Sequence, residues 1–130
     1  MILDTNFIID LMNNEPKTLV KTEELLDNGE SILVTSLSIF ELFTGMSMSN
    51  KPEIEKNKIN RIIENQTILN FDKDAAELSG ELNGQLRKNG QAIESVDTMI
   101  AGIALLKKEK LMTRNIKHFS RIKNLEIESY

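Results

Sequence analysis

Asp97-Thr-Met-Ile-Ala-Gly-Ile-Ala-Leu-Leu106 carries apolar or small side chains around most of a helical circumference. A helix of that kind is covered on nearly all sides and lies centrally in its domain. The pattern extends outward from this run. Upstream, Asp72 caps a long helix that Gly90 ends, and the central helix starts near Ser95 and continues to about Lys110. Downstream come a short strand, Leu111-Met-Thr113, one or two helical turns from Asn115 to Arg121, and a last strand from Leu125 to Glu128.

The N-terminal half has the same alternation. Met1-Ile-Leu-Asp4 reads as a strand end, followed by a helix from near Asn6 that stops before Pro16. Pro16 suits the first turn of a second helix, which Gly29 closes. Ile32-Leu-Val-Thr35 has the composition of a buried strand, with Ser36 or Ser38 as cap of the helix after it. Pro52 opens another helix, and Gln66 to Phe71 is a third strand candidate. Alternating strands and helices predict an α/β domain whose parallel sheet is covered on both faces. Ligands of such sheets collect beyond the carboxyl ends of the strands, where strand order reverses. That places attention on Asp4, Ser36 and Asn115.

Composition narrows the chemistry. With 130 residues the chain suits one domain over 1–130. It has no cysteine and one histidine, His118, which excludes thiolate and multi-histidine metal sites. A metal here is held mainly by carboxylates, a donor set for magnesium or manganese. No basic leader or long apolar run is present, so a soluble cytoplasmic protein with no membrane association is the expectation. The net charge is −4, yet the charges are segregated: residues 1–106 hold 9 basic and 17 acidic side chains, and residues 107–123 hold 7 basic and one acidic. Lys107, Lys108 and Lys110 complement a helix C-terminus or belong to a basic surface; Arg114, Lys117 and Arg121 follow a different element.

Three carboxylates stand out. Asp4-Thr5-Asn6 ends the first strand and suits either a helix cap or a ligand site. Glu41 lies opposite an apolar arc of Ile39, Phe40, Leu42, Phe43 and Met46, beside Ser38 and Gly45. That fits half of a Ser38–Glu41 capping box or a face kept narrow for a ligand, and the spacing does not choose. Asp97 opens the central helix with no cation on its face until Lys107 and Lys108. A buried carboxylate without a partner is costly, and a helix N-terminus offsets only about 1 kcal/mol of that. A divalent ion would supply the missing charge. Thr113-Arg114-Asn115 follows a strand and suits a phosphate or water site, or an Asx-type turn.

In sequence order these segments resemble the PIN-domain family and, within it, the VapC toxins. The resemblance rests on Leu3-Asp4-Thr5-Asn6, Thr35-Ser36, Glu41-Leu42 with Gly45, Gly90, Ile93, Asp97, Ile100-Ala101, Thr113, Asn115 and Phe119, and covers essentially the whole chain. It implies a five-stranded parallel sheet and an endoribonuclease dependent on Mg2+ or Mn2+. It also implies a homodimer inhibited by a cognate VapB-type antitoxin. By this resemblance Asp4 and Asp97 hold the metal, and Glu41 holds a water or a second ion. Thr5, Asn6, Ser36 and Thr113 position water or substrate, while Arg114, Lys117, His118 and Arg121 face the RNA backbone. The sequence departs from the family where a fourth acidic residue is usual, having Asn115 and His118 there. That departure leaves a rival reading, a PIN-like binding or assembly module with an impaired site.

Overall fold

The computed structural model describes all 130 residues. Five parallel strands form one sheet: β1 (Ile2–Leu3), β2 (Leu33–Thr35), β3 (Thr67–Leu69), β4 (Leu111–Met112) and β5 (Ile127–Glu128). Their order is β3-β2-β1-β4-β5, so the chain builds outward from β1 in one direction and then in the other. The strand order reverses at β1, and the crevice expected there opens between the carboxyl ends of β1 and β4.

Side chains alternate across the strands, and both faces are apolar. Ile2, Leu33 and Leu111 enter one core with Ala75, Leu86, Ile100, Ile103 and Phe119. Leu3, Val34 and Met112 enter the other with Phe7, Ile8, Leu25, Leu42 and Ile59. Period-two alternation between two buried faces reads as a continuous apolar run in sequence, as at Ile32-Leu-Val. The first core is closed by α5 (Lys73–Lys88), α6 (Ser95–Lys107) and α7 (Ile116–Phe119). The second is closed by α1 (Thr5–Met12), α2 (Pro16–Asp27) and α4 (Pro52–Ile63), while α3 (Ser36–Met48) reaches both. No helix is long and apolar enough to cross a membrane.

The central position of α6 is seen in its burial: Thr98, Ile100, Ala101, Gly102, Ile103 and Ala104 are all buried. Gly102 is required by its neighbour, because a Cβ there would coincide with Ser79 Oγ of α5.

Several expected boundaries move. The cap of α3 is Thr35, whose hydroxyl accepts from Ser38 N, so neither Ser36 nor Ser38 is the cap and the capping box with Glu41 does not form. Phe40 leaves the expected apolar arc and is 63% exposed. The central helix stops at Lys107 because Lys108 adopts the left-handed conformation, φ 55°, leaving Lys110 outside it. Lys107 and Lys108 therefore close the end of α6 opposite Asp97, ~15 Å away at 1.5 Å per residue. A hollow lined by Lys108, Glu109, Asn124 and Glu126 marks that far side of the sheet, so the basic run 107–123 is not one surface beside the crevice.

Candidate active site

Asp4 follows β1 as the N-cap of α1, and its carboxylate is buried at 3% exposure. Oδ1 accepts from Thr5 N at 2.8 Å, and Oδ2 accepts from Thr113 Oγ1, also at 2.8 Å. The cap reading of Asp4 is realised, and its second oxygen is turned to the Thr113 hydroxyl beyond β4. No cation pairs with it. Its carboxyl is raised to about 6: burial raises it most, the Thr113 and Thr5 hydrogen bonds hold it down, and the charges of Asp97 and Glu41 also raise it. Hydrogen bonds link Asp4 through Thr5 to Glu41, and through Thr113 and Asn115 to Asp97, so the three carboxylates stand around one crevice.

Glu41 arrives from α3 through hydroxyls. Thr5 Oγ1 donates to Glu41 Oε1 at 2.6 Å and also lies 2.9 Å from Ser38 Oγ. One hydroxyl carries one hydrogen, so the Ser38 hydroxyl is left to donate to Thr5. Ser38 Oγ is in turn 3.3 Å from Thr35 Oγ1. The result is a relay Thr35–Ser38–Thr5–Glu41 that fixes the carboxylate against α1. Ser38 is fully buried, and its part in the relay escaped the sequence reading, although it shares a helical face with Glu41.

Asp97 enters from the first turn of α6, and the sequence expectation that it lacks a partner is corrected. His118 Nδ1 lies 3.2 Å from Asp97 Oδ2, and Asn115 Nδ2 lies 3.5 Å from the same oxygen and 2.7 Å from His118 Nδ1. Burial raises the Asp97 carboxyl above its ordinary range, the His118 contact lowers it, and Glu94 raises it. Asn115 is held by its own N–H, which donates to Thr113 Oγ1 at 2.9 Å. Thr113 is thereby the hinge of the crevice, giving its proton to Asp4 and receiving one from Asn115.

The other expected residues divide. Asn6 sits partly exposed on the first turn of α1, and its side chain makes no hydrogen bond within the protein. Ser36 Oγ accepts from Phe71 N at 3.1 Å, which ties the end of β2 to the chain beyond β3. Arg114 pairs with Asp10 at 2.7 Å, and Tyr130 OH donates to the same Asp10 oxygen at 2.8 Å. Arg121 donates to the carbonyls of Ala92 and Gln91 ahead of α6. Lys117 is exposed and unpaired. The Asp10–Arg114–Tyr130 cluster was missed; its one sequence signal is a lone Asp within Phe7-Ile-Ile-Asp10-Leu-Met12.

The donor set fits a hard divalent ion: carboxylates, one of them buried without a cation, with hydroxyls and an amide around them. No three Asp, Glu or His side chains close on a single point. That openness accords with magnesium, which keeps several waters and takes only one or two carboxylates.

Comparison with known proteins gives the family. The PIN domain family model matches residues 1–125. The chain belongs to the PIN-domain family. It is similar to ribonuclease VapC2 of Rickettsia felis, at 33% identity over 99% of this chain and 96% of that one. The tRNA(fMet)-specific endonuclease VapC of Salmonella typhimurium is 29% identical, over 99% and 96% of the two chains. In structure, the chain resembles one from the VapBC2 complex of Rickettsia felis bound to a promoter DNA fragment. That likeness has a TM-score of 0.90 at 32% identity, over 99% and 97% of the chains. A chain of VapBC-1 from Haemophilus influenzae gives 0.86 at 30% identity, over 98% and 96%.

Proposed function

We propose that this protein is a divalent-metal-dependent endoribonuclease, the toxin of a toxin–antitoxin pair, that hydrolyses RNA phosphodiester bonds. The observation that carries the reading is the buried, cation-free Asp4 at the β1–β4 crevice, linked by hydrogen bonds through Thr5 to Glu41 and through Thr113 and Asn115 to Asp97. Asp4 and Asp97 hold Mg2+ or Mn2+, and Glu41 completes the carboxylate set. When bound, the ion supplies an activated water and screens charge on the phosphoryl oxygens.

The chain's own groups do the positioning. Thr113 and Thr5 N–H orient the two Asp4 oxygens, so that carboxylate keeps one rotamer whatever occupies the crevice. The hydroxyl relay aims Glu41, and Thr5 keeps a proton on its oxygen at 2.6 Å. Asn6 offers a free amide to substrate or water. Ser36 braces the rim, while exposed Lys117, and Arg114 where its Asp10 pair leaves it half-exposed, are the cations available to RNA phosphates. With Arg121 committed to backbone carbonyls, RNA affinity rests on few cations. We read residues 1–130 as one domain, acting in the cytoplasm as a homodimer held in check by a VapB-type antitoxin. The partner is suggested by the toxin–antitoxin complexes of Rickettsia felis, Salmonella typhimurium and Haemophilus influenzae that contain similar chains.

The test is RNA cleavage with and without magnesium by wild type, Asp4→Asn and Asp97→Asn. Loss of cleavage in folded variants supports the assignment; metal-dependent cleavage at wild-type rate by either refutes it. Wild type that stays inactive and gains no thermal stability from metal would favour the binding-module reading.

A further inference from the structure

Asp97 Oδ2, His118 Nδ1 and Asn115 Nδ2 form a triangle with edges of 3.2, 2.7 and 3.5 Å. With the Asn115 amide nitrogen turned toward His118, one ring proton cannot satisfy all three corners. If Nδ1 accepts from the Asn115 amide, two lone pairs face each other across 3.2 Å between His118 and Asp97. If Nδ1 carries the proton instead, the amide nitrogen faces a donor at 2.7 Å. A half-turn of the Asn115 amide exchanges its nitrogen for its oxygen at nearly the same position. In that orientation a proton on Nδ1 would bond both oxygens, whereas with the ring proton on Nε2 the three corners are all acceptors: one carboxylate oxygen, one imidazole nitrogen and one amide oxygen. Adjacent ligands around an octahedral ion, at about 2.1 Å from it, stand about 3 Å apart. The triangle has that size. It also has access, since the side chains of His118 and Asp97 are 35% and 17% exposed.

We infer that Asp97, His118 and Asn115 are one three-ligand face of a metal site, and that the His118 nitrogen biases it towards first-row transition ions over magnesium. The inference deepens the metal-dependent reading above and rests on it. Imidazole is a poor ligand for magnesium, which prefers oxygen, and a good one for transition metals. Asn115 and Thr113 connect the face to Asp4, through Asn115 N to Thr113 Oγ1 and Thr113 Oγ1 to Asp4 Oδ2. An ion on this face therefore lies in the same crevice.

His118 is the only histidine, so labelling with 15N-histidine reports on this one nitrogen. The full-length protein is titrated with Mn2+ and followed by continuous-wave and pulsed electron paramagnetic resonance in a nitrogen-free buffer. The expected result is a directly bound 15N coupling in wild type that disappears in His118→Ala and His118→Gln. Manganese affinity falls tenfold or more in both variants, as loss of a ligand should cost at least what loss of an outer partner does, about 10–100-fold. Magnesium affinity, read by competition, changes far less. Manganese that binds in an Asp97-dependent manner without histidine nitrogen coupling overturns the inference and leaves the metal reading standing. No manganese binding at millimolar concentration, in a folded protein, overturns both.

Discussion

Asp10 Oδ2 and Arg114 Nη1 are joined at 2.7 Å, tying α1 to the turn that carries Thr113 and Asn115. The same α1 holds that turn a second time, through Asp4 and Thr113. Two attachments fix the orientation of the turn as well as its distance. The clamp should matter to activity although Asp10 itself lies outside the carboxylate set.

Asp10→Ala removes the acceptor of both Arg114 and Tyr130. Loss of a partly buried pair of this kind costs ~1–3 kcal/mol, at the low end because Arg114 is more than half exposed. Cleavage should slow while magnesium binding persists, since Asp4 and Asp97 remain. Arg114→Ala added to Asp10→Ala should cost little more stability, a coupling that a double-mutant cycle by denaturant unfolding measures. Additive losses would show that the two residues act separately.

Acid should stabilise the metal-free protein relative to its Asp4→Asn variant. Asp4 holds its proton up to about pH 6 when folded, against 3.8 for an ordinary aspartate carboxyl. Between those values the folded state binds more protons than the unfolded one, so stability falls as pH rises. From this group the fall is about 3 kcal/mol, complete above the folded value and absent below the unfolded one. Asp97, raised in the same direction, adds to it. Melting temperatures from pH 4 to 7 without metal should drop more steeply for wild type than for Asp4→Asn. Magnesium should flatten the wild-type curve by displacing the proton. Parallel curves for the two proteins would contradict the assignment of a protonated Asp4.

Thr113→Val keeps the shape of a buried residue but takes away a hydrogen bond that lowers the Asp4 carboxyl. The Asp4 pKa should rise further, so metal binding and cleavage should need higher pH. The expected loss of activity is larger at pH 6 than at pH 8, measured at saturating RNA. An equal loss at both pH values would point to displacement of Asn115 rather than to the Asp4 proton.

Packing of the central helix gives a prediction away from the crevice. Gly102→Ala forces a methyl onto Ser79 Oγ, and overpacking of this kind costs ~1–3 kcal/mol. Ser79 Oγ is buried without a hydrogen-bond partner, so Ser79→Ala should be neutral or stabilising. The double variant should recover most of what Gly102→Ala loses, as read from urea midpoints. No recovery would mean that α6 needs the glycine for another contact.

Much of this fold is legible in the sequence because its signals are local. Leu33 and Val34 announce a strand buried on both faces, and the apolar circumference of residues 97–106 announces the central helix. Asp97 is legible as a candidate because it opens an apolar helix with no cation on its face, while Asp4 and Glu41 each have an ordinary capping role and stand out only in company with it. What stays hidden is long-range or degenerate. Thr35, Ser36 and Ser38 are equally good caps, and only the backbone shows which one is used. The contact of His118 with Asp97 spans 21 residues, and that of Arg114 with Asp10 spans 104, so no helical or strand period reports them. The basic run fails as a surface for a related reason: sequence proximity says nothing about which end of a helix each lysine occupies.

Asn115 is where the sequence leaves the family pattern, and the structure sharpens what its replacement should do. Asn115→Asp would put a carboxylate within 3.5 Å of Asp97 Oδ2, beside His118 and one hydrogen bond from Asp4 through Thr113. Without metal, the added like charge beside Asp97 should lower the melting temperature at pH 7. With metal the sign reverses, because a charged oxygen binds magnesium more strongly than an amide does. The magnesium concentration for half-maximal stabilisation should therefore fall, and the variant should gain more degrees from saturating metal than wild type does. Activity should follow the same shift along the magnesium axis. If the metal-free melting temperature is unchanged and the magnesium midpoint does not move, Asn115 faces neither Asp97 nor the ion, and its place in the site is wrong.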